Sequence, residues 1–127
     1  MLFAEVKGWL VMDTNFIKWD DYEWAGSDRA HRKVVQTKTA TFSMQELKYS
    51  NPNPKIDSHP EQQVVILLEG TSDFYVDDVC YKMEAGDMIV IPPNAKHWQK
   101  ITSDGGIKNF LIFTPPNDYK EAVKKEK

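Results

Sequence analysis

The chain has few of the features that would assign it to a specialised class of protein. Its 127 residues include one cysteine, Cys80, so an intramolecular disulfide is excluded and a reducing compartment is favoured. No apolar run approaches the roughly 20 residues of a membrane helix, and residues 1–13 lack the basic start and the cleavage site of a secretion signal. We therefore expect a cytoplasmic protein without a membrane partner.

An excess of positive charge is also missing. The sequence has 16 lysines and arginines against 19 aspartates and glutamates, and its pI is near 5.6. A phosphate backbone needs a basic surface, so nucleic acid is not an expected partner. Neither a Gly-x-Ser-x-Gly nucleophile motif nor a glycine-rich phosphate loop occurs in the sequence. A small-molecule substrate is the partner that we expect.

What the sequence does contain is a series of short segments rich in Val, Ile, Thr and aromatic residues. They predict strands over 34–42, 43–49, 63–69, 72–77, 79–83, 87–91, 97–101 and 107–114. The turn-forming residues between them are Asn51-Pro52, Gly70, Asp77-Asp78, Gly86, Pro92-Pro93-Asn94 and Gly105-Gly106. One short helix is predicted from about residue 117 to 125. Regular short strands are typical of an all-β barrel or jelly roll.

Two of the three histidines occupy matching places in two glycine-bounded segments. His59 lies in the first segment, which ends at Gly70, and His97 closes the second, which begins at Gly86. His31 lies in the charged stretch DRAHRK, where a surface role is expected. His59 and His97 could therefore line one cavity.

Strand parity adds a third and a fourth side chain to this group. Asp57, His59 and Gln63 have the same parity, so they point to one face wherever the backbone is extended. In a straight strand Gln63 would lie ~13 Å from His59, because each residue advances ~3.3 Å. We therefore predict a turn at Pro60-Glu61 that brings Gln63 back within reach.

The two segments resemble the motifs of the cupin family, G-x5-H-x-H-x3or4-E-x6-G and G-x5-P-x-G-x2-H-x3-N. The positions of the first motif are taken by Asn51, Asp57, His59, Gln63 and Gly70, and those of the second by Gly86, Pro92, Asn94, His97 and Ile101. The resemblance implies a single cupin domain over 1–127, a double-stranded β-helix or jelly-roll barrel. Its core is expected at about 33–114, between an N-terminal extension, 1–32, and a C-terminal tail, 115–127.

In this family, four of these side chains bind a divalent metal ion. The resemblance therefore implies Asp57, His59, Gln63 and His97 as ligands, with iron, manganese, nickel, zinc or copper as the ion. Asp57 stands where the family has histidine, and it either binds the metal or orients a ligand histidine through its N–H group. Asn51 and Asn94 replace glycines, and asparagine tolerates the left-handed conformation that such turns use.

A narrower resemblance concerns the small cupins of pectin and uronate breakdown. These proteins share the glutamine ligand, here Gln63, and a stretch similar to Phe-Thr-Pro-Pro at 113–116. They carry an aspartate and an arginine where this chain has Leu111 and Asn117, which can neither move a proton nor clamp a carboxylate. The same uronate reaction is therefore not expected. The resemblance also implies a homodimer.

Strand parity predicts the wall of the substrate pocket. In strand 97–101, Gln99 lies on the same face as His97, and in strand 107–114 the residues Asn109, Leu111 and Phe113 lie on one face. Asp57 and Glu61 are the candidate catalytic proton acceptors, although Glu61 also fits a solvated turn residue.

Three functions remain open at this stage. The first is a metal-dependent isomerase or lyase that acts on a small sugar-like or keto acid substrate. The second is a non-haem iron dioxygenase, since two histidines and one carboxylate resemble the facial triad of those enzymes. The third is a non-catalytic cupin that binds a small ligand.

Overall fold

The computed structural model of the chain describes residues 14–118. A 3-10 turn, Trp19–Asp21, precedes nine strands: β1 Ala25–Gly26, β2 Ala30–Gln36, β3 Thr41–Leu47, β4 Gln62–Glu69, β5 Thr71–Val76, β6 Val79–Glu84, β7 Met88–Ile91, β8 His97–Ile101 and β9 Ile107–Thr114. Beyond residue 118 the predicted C-terminal helix falls outside the described residues. Within residues 14–118, no helix is long and apolar enough to cross a membrane.

The strands form two antiparallel sheets. The larger sheet has the order β1-β2-β3-β9-β4-β7, and the smaller has the order β6-β5-β8. Strands that are distant along the chain pair within each sheet, as β3 does with β9 and β5 with β8. The inner faces of both sheets contribute to one apolar core. The prediction of an all-β jelly-roll barrel is confirmed.

The predicted strand positions agree with β4 to β9 to within one residue at each end. The predicted strand 34–42 is wrong, because a hairpin turn at 37–40 divides it into β2 and β3. In this turn the Thr37 N–H group donates to the Ala40 carbonyl at 2.9 Å, and the Thr37 hydroxyl accepts from the Ala40 N–H group at 3.2 Å. Such a turn needs no glycine or proline, so composition favoured a continuous strand. β1 and the start of β2 also precede residue 33, the predicted start of the barrel core.

The β5–β6 hairpin follows the sequence prediction. Val76 pairs with Val79, which leaves Asp77 and Asp78 as a two-residue turn. Both have positive φ angles, 47° and 71°, as a turn matched to the twist of a hairpin requires.

The core between the sheets is apolar but contains several polar side chains. Val65, Leu67 and Ile91 are fully buried. On the same inner faces, Gln63 is 7% exposed and His97 is 5% exposed. Buried polar groups lower stability unless they have partners, so both side chains need polar partners inside the barrel.

The loop before β9 supplies a stability test, because its two glycines differ in surroundings. Gly106 has a φ angle of 89°, and a Cβ atom there would lie 2.3 Å from the Leu47 carbonyl oxygen, whereas one at Gly105 would meet nothing within 4 Å. We predict that Gly106→Ala lowers the free energy of unfolding by about 2 kcal/mol or more, through strain and a backbone clash. Gly105→Ala, the matched control, should change it by less than about 1 kcal/mol. Urea denaturation measures both, and equal effects would contradict the assigned loop conformation.

Candidate metal centre

A two-bond backbone bridge brings the two motif segments together. The N–H group of Asp57 donates to the His97 carbonyl, and the N–H group of His97 donates to the Asp57 carbonyl, both at 2.9 Å. The pair forms an antiparallel bridge outside the regular strands. Opposed residues of an antiparallel pair share a face, so the segment that carries His59 lies along the start of β8.

The turn at Asn94 adds a second connection between the same segments. Its N–H group donates to the His59 carbonyl at 2.7 Å, and the Ser58 hydroxyl donates to the Asn94 carbonyl at 2.9 Å. The φ angle of Asn94 is 68°, so the predicted left-handed conformation is confirmed there. Asn51 has no positive φ angle, so its turn does not use the left-handed conformation that asparagine tolerates. Its side chain instead accepts a hydrogen bond from the Asn53 N–H group at 2.9 Å, which closes a turn of another kind.

The imidazole rings of His59 and His97 converge inside the barrel. Their centroids are 4.9 Å apart and their planes are inclined by 81°. The His97 ring stacks on Phe74 at 6.2 Å, and the His59 ring meets Phe113 at 5.6 Å. The aromatic neighbours fix the positions of both imidazoles.

Backbone carbonyls orient both rings in the same way. Nδ1 of His97 lies 2.9 Å from the Ala95 carbonyl oxygen, and Nδ1 of His59 lies 3.0 Å from that of Glu61. A carbonyl accepts only, so Nδ1 carries the proton in each ring and Nε2 carries the lone pair. Anchoring of one ring nitrogen by a carbonyl is the usual arrangement of histidines that bind a metal through the other.

The contact between His59 and Gln63 is compatible with a bound cation. Nε2 of His59 lies 3.0 Å from Oε1 of Gln63, while Nδ1 faces the Glu61 carbonyl. A neutral imidazole has one N–H group, so it satisfies only one of these two oxygens. A metal ion between Nε2 and Oε1 would satisfy the other, and so would a turn of the Gln63 amide that lets its NH₂ group donate to Nε2. Two ligand atoms that bind one ion at about 2.1 Å and at right angles are themselves about 3 Å apart, so this pair fits a divalent metal.

The two predicted carboxylates lie in different places. Asp57 is exposed and lines the cavity, but within residues 14–118 no group of three or more His, Cys, Asp and Glu side chains is close enough to hold a metal. The amide of Gln63, which contacts His59, is the neighbouring side chain that could bind an ion together with the two imidazoles. Oε1 of Glu61 lies 3.4 Å from Nδ1 of His59, beside the anchored nitrogen, and Glu61 does not line the cavity.

The cavity in front of the imidazoles has a volume of about 970 Å³. Gln99, Leu111 and Phe113 line it, as do His59, Gln63 and His97. This volume is sufficient for a small organic molecule.

Asn109 is 1% exposed and lies behind the cavity wall. Its Nδ2 donates to Oε1 of Gln99 at 2.9 Å and to Oε1 of Gln45 at 3.1 Å.

Sequence reasoning missed three residues that also line the cavity: Arg29, Gln45 and Lys55. Gln45 reaches it because β3 pairs with β9, a long-range register that no local pattern indicates.

Cys80 lies outside the site, where it pairs with Tyr75 across β5 and β6. A hydrogen bond to the Cys80 side chain is the main cause that raises the pKa of the Tyr75 phenol. Tyr75 also stacks on Trp98 at 4.2 Å. Cys80 thus belongs to a cluster with Tyr75 and Trp98, and it does not line the cavity.

Comparison with known proteins places the chain in a family. Residues 44–113, more than half of the chain, match the family model of the cupin domain. The chain therefore belongs to the cupin family.

Three similar proteins illustrate the relationship. Acireductone dioxygenase from Aquifex aeolicus (strain VF5) is 32% identical over 69 residues, which are 51% of this chain and 38% of that protein, so the chain spans well under half of its length. An RmlC-like cupin from Shewanella frigidimarina superposes with a TM-score of 0.71 and 18% identity. The superposition covers 87% of this chain and 97% of the Shewanella chain. KdgF from a Halomonas species superposes with a TM-score of 0.73 and 15% identity. The superposition covers 84% of this chain and 97% of the KdgF chain. The structural similarities establish the fold, and the predicted resemblance to small single-domain cupins is confirmed.

The Asn94 turn generates a prediction about how the first motif is held. The N–H and carbonyl groups of Asn94 make these hydrogen bonds, so its side chain matters mainly because asparagine tolerates a positive φ angle. We expect Asn94→Ala to cost about 1 kcal/mol of unfolding free energy, because alanine disfavours the left-handed conformation. Asn94→Gly, the matched control, should cost less than about 0.5 kcal/mol. Thermal denaturation followed by circular dichroism measures both, and an equal loss in the two variants would contradict this account.

Proposed function

We propose that this cupin binds a divalent metal ion through His59, Gln63 and His97, and that it acts on a small sugar-like or keto acid substrate by isomerisation or elimination. The main support is the shared orientation of the two imidazoles. Backbone carbonyls hold both Nδ1 protons, which leaves both Nε2 lone pairs for an ion. Nitrogen and oxygen donors of this kind accept iron, manganese, nickel, zinc or copper, depending on supply.

A bound ion of this kind would polarise a carbonyl or hydroxyl group of the substrate. Phe113 and Leu111 form an apolar wall that excludes water from one side of the cavity. Gln99, the next inward residue after His97, donates from its amide to Ser72, and its Oε1, which accepts from Asn109, can accept a second hydrogen bond from a substrate hydroxyl. Asp57, on the cavity wall, is the carboxylate available to accept a substrate proton at its Oδ atoms.

Glu61 has a positioning role in this proposal. Its carboxylate and its backbone carbonyl both face Nδ1 of His59, at 3.4 Å and 3.0 Å. Two acceptors at one nitrogen hold the proton there and keep the lone pair on Nε2.

An iron-dependent dioxygenase is the second candidate function. It is favoured by the similarity of 51% of the chain to acireductone dioxygenase from Aquifex aeolicus. Oxygen uptake separates the two candidates, since isomerisation and elimination consume no oxygen. Turnover that continues at an unchanged rate under argon would exclude the dioxygenase.

The metal proposal predicts specific losses of affinity. Calorimetric titration of chelator-treated protein with Mn²⁺, Ni²⁺ or Zn²⁺ should show one site. We expect His59→Ala and His97→Ala each to weaken binding by about 100-fold, because each removes a ligand. Gln63→Glu should strengthen it, since a carboxylate adds negative charge at the same position.

His31 provides the matched control for this titration. It is bonded to Glu46 at 2.8 Å and does not line the cavity. His31→Ala should therefore keep the affinity of the unmodified chain. Equal affinity in His97→Ala and His31→Ala, with both variants folded by circular dichroism, would refute the assigned site.

We also propose that the chain forms a homodimer through the outer face of the larger sheet. Five outward side chains of β4, β7 and β9 are apolar and uncharged: Val64, Ile66, Met88, Val90 and Ile112. Trp19 covers Phe110 of β9 at 6.2 Å, but Met88 and Val90 on the edge strand β7 remain 61% and 49% exposed. When the side chains on both faces of a sheet are apolar, both faces are usually buried, here one against the core and the other against a partner. Two charged side chains of this face, Lys108 and Glu46, lie 3.8 Å from each other. A patch of uncharged apolar side chains can pack against its own copy, and two-fold pairs are the commonest soluble assembly.

Two valines with nearly equal exposure test the dimer. Val90 on β7 is 49% exposed and Val79 on β6 of the smaller sheet is 50% exposed. Light scattering should give twice the chain mass of 14.7 kDa for the unmodified protein and for Val79→Lys. Val90→Lys should give a monomer, because each protomer would bury an unpaired ammonium group in the interface. A monomeric unmodified protein, or a dimeric Val90→Lys, would contradict the proposal.

A further inference from the structure

Two cationic side chains line the cavity in addition to the metal-binding group. Arg29 follows β1, and its carbonyl accepts a hydrogen bond from the Lys48 N–H group at 2.8 Å. Its guanidinium lies 5.0 Å from the centre of the Tyr49 ring, a contact that holds the charge at the cavity. Lys55 lies two residues before Asp57, on the segment that carries the first motif. Cationic charge thus reaches the cavity from two separate parts of the chain.

These cations are not neutralised by acidic neighbours. Within residues 14–118, neither Arg29 nor Lys55 has a carboxylate within ion-pair distance. Asp57 is the one acidic residue among the described residues that line the cavity. The whole chain has a formal charge of −3, so the cavity departs in sign from the rest of the protein.

A row of hydrogen-bonded amides links two residues that line the cavity, Gln99 and Gln45, through Asn109. Gln99 accepts from Asn109, and Asn109 also donates to Oε1 of Gln45 at 3.1 Å. Gln45 lines the cavity, and no described residue accepts a hydrogen bond from its Nε2 atom. Two N–H groups therefore remain available to an acceptor in the cavity.

We infer that the ligand of this cavity is a small organic anion, and that Arg29 and Lys55 supply the charge that recognises it. The free groups of this region, a guanidinium, an ammonium and an amide NH₂, are all donors. A carboxylate or a phosphate accepts hydrogen bonds and carries the complementary charge. The inference deepens the proposed function by naming the charge of its substrate class. In this chain the cations at the cavity are Arg29 and Lys55. The small cupins of uronate breakdown instead carry an arginine at the position that Asn117 occupies here.

The expected contribution of each cation is moderate, because both side chains are exposed. Water and salt screen exposed charges, and the Debye length is about 10 Å at 0.1 M salt. Loss of one cation should therefore weaken anion binding several-fold, up to about tenfold, and the loss should shrink as salt is added. A neutral ligand of the same shape should bind equally well to the variants.

Three sugars of similar shape test the inference: D-glucuronate, D-glucose 6-phosphate and D-glucose. NMR titrations of metal-free protein at low and high salt should show tighter binding of at least one anion than of glucose. Arg29→Gln and Lys55→Gln should each reduce that preference. Lys38→Gln, the matched control, removes the same charge from the exposed β2–β3 turn, outside the cavity, and should leave the preference unchanged.

Equal binding of glucose and both anions, or no binding of either anion, would overturn the inference. So would a loss in Lys38→Gln as large as in Arg29→Gln. The carboxylate and phosphate arms show which anion is recognised. Arg29→Gln should keep the metal affinity of the unmodified protein while its anion preference falls. In the unmodified protein, metal binding without anion preference contradicts only the inference, and anion preference without metal binding contradicts only the metal proposal.

Discussion

The site depends on the reciprocal pair of backbone hydrogen bonds between Asp57 and His97. Both bonds measure 2.9 Å, and they join segments that are 40 positions apart in the chain. Without them, His59 would belong to a loop with no defined relation to β8. With them, and with the 2.7 Å bond from Asn94 to the His59 carbonyl, the two imidazoles lie 4.9 Å apart inside a rigid barrel. Backbone bonds of this kind do not depend on side-chain identity, which explains how Asp57 can stand in a histidine position of the family motif while the architecture persists.

The barrel interior combines two requirements that oppose each other. Stability favours apolar side chains such as Val65 and Leu67, whereas binding of an ion or a polar ligand requires buried polar atoms. The conflict is resolved by pairing, since the amides of Gln99, Asn109 and Gln45 bond to one another and the Nδ1 groups of both histidines bond to carbonyls. The residues that carry the remaining donors and lone pairs, Gln45, His59 and His97, line the cavity.

The sequence predicted the barrel and β4 to β9 from strand composition and local turn chemistry, and the approach of Gln63 to His59 from strand parity. The convergence of His59 with His97 was expected from their matching places in the two segments and from the resemblance to the cupin motifs. The turn at Pro60-Glu61 also follows from parity, and the 3.0 Å contact of His59 with Gln63 agrees with it. The hairpin at 37–40 was missed because its turn uses a threonine hydroxyl. Arg29, Gln45 and Lys55 were missed for another reason: they enter the cavity through long-range pairings or from irregular segments, and neither has a signature in hydrophobic periodicity.

Charge connects the metal proposal with the inference about the ligand. Two neutral imidazoles and one neutral amide offer no negative charge to a divalent ion, whereas the family motif contributes a glutamate at the position of Gln63. An ion held by this set would keep its full double charge, and the exposed carboxylate of Asp57 and solvent would compensate it only in part. Arg29 and Lys55 add positive charge of the same sign along the cavity wall. An anionic ligand is therefore the species that both features stabilise, and its binding would supply the negative charge that the protein side chains leave out.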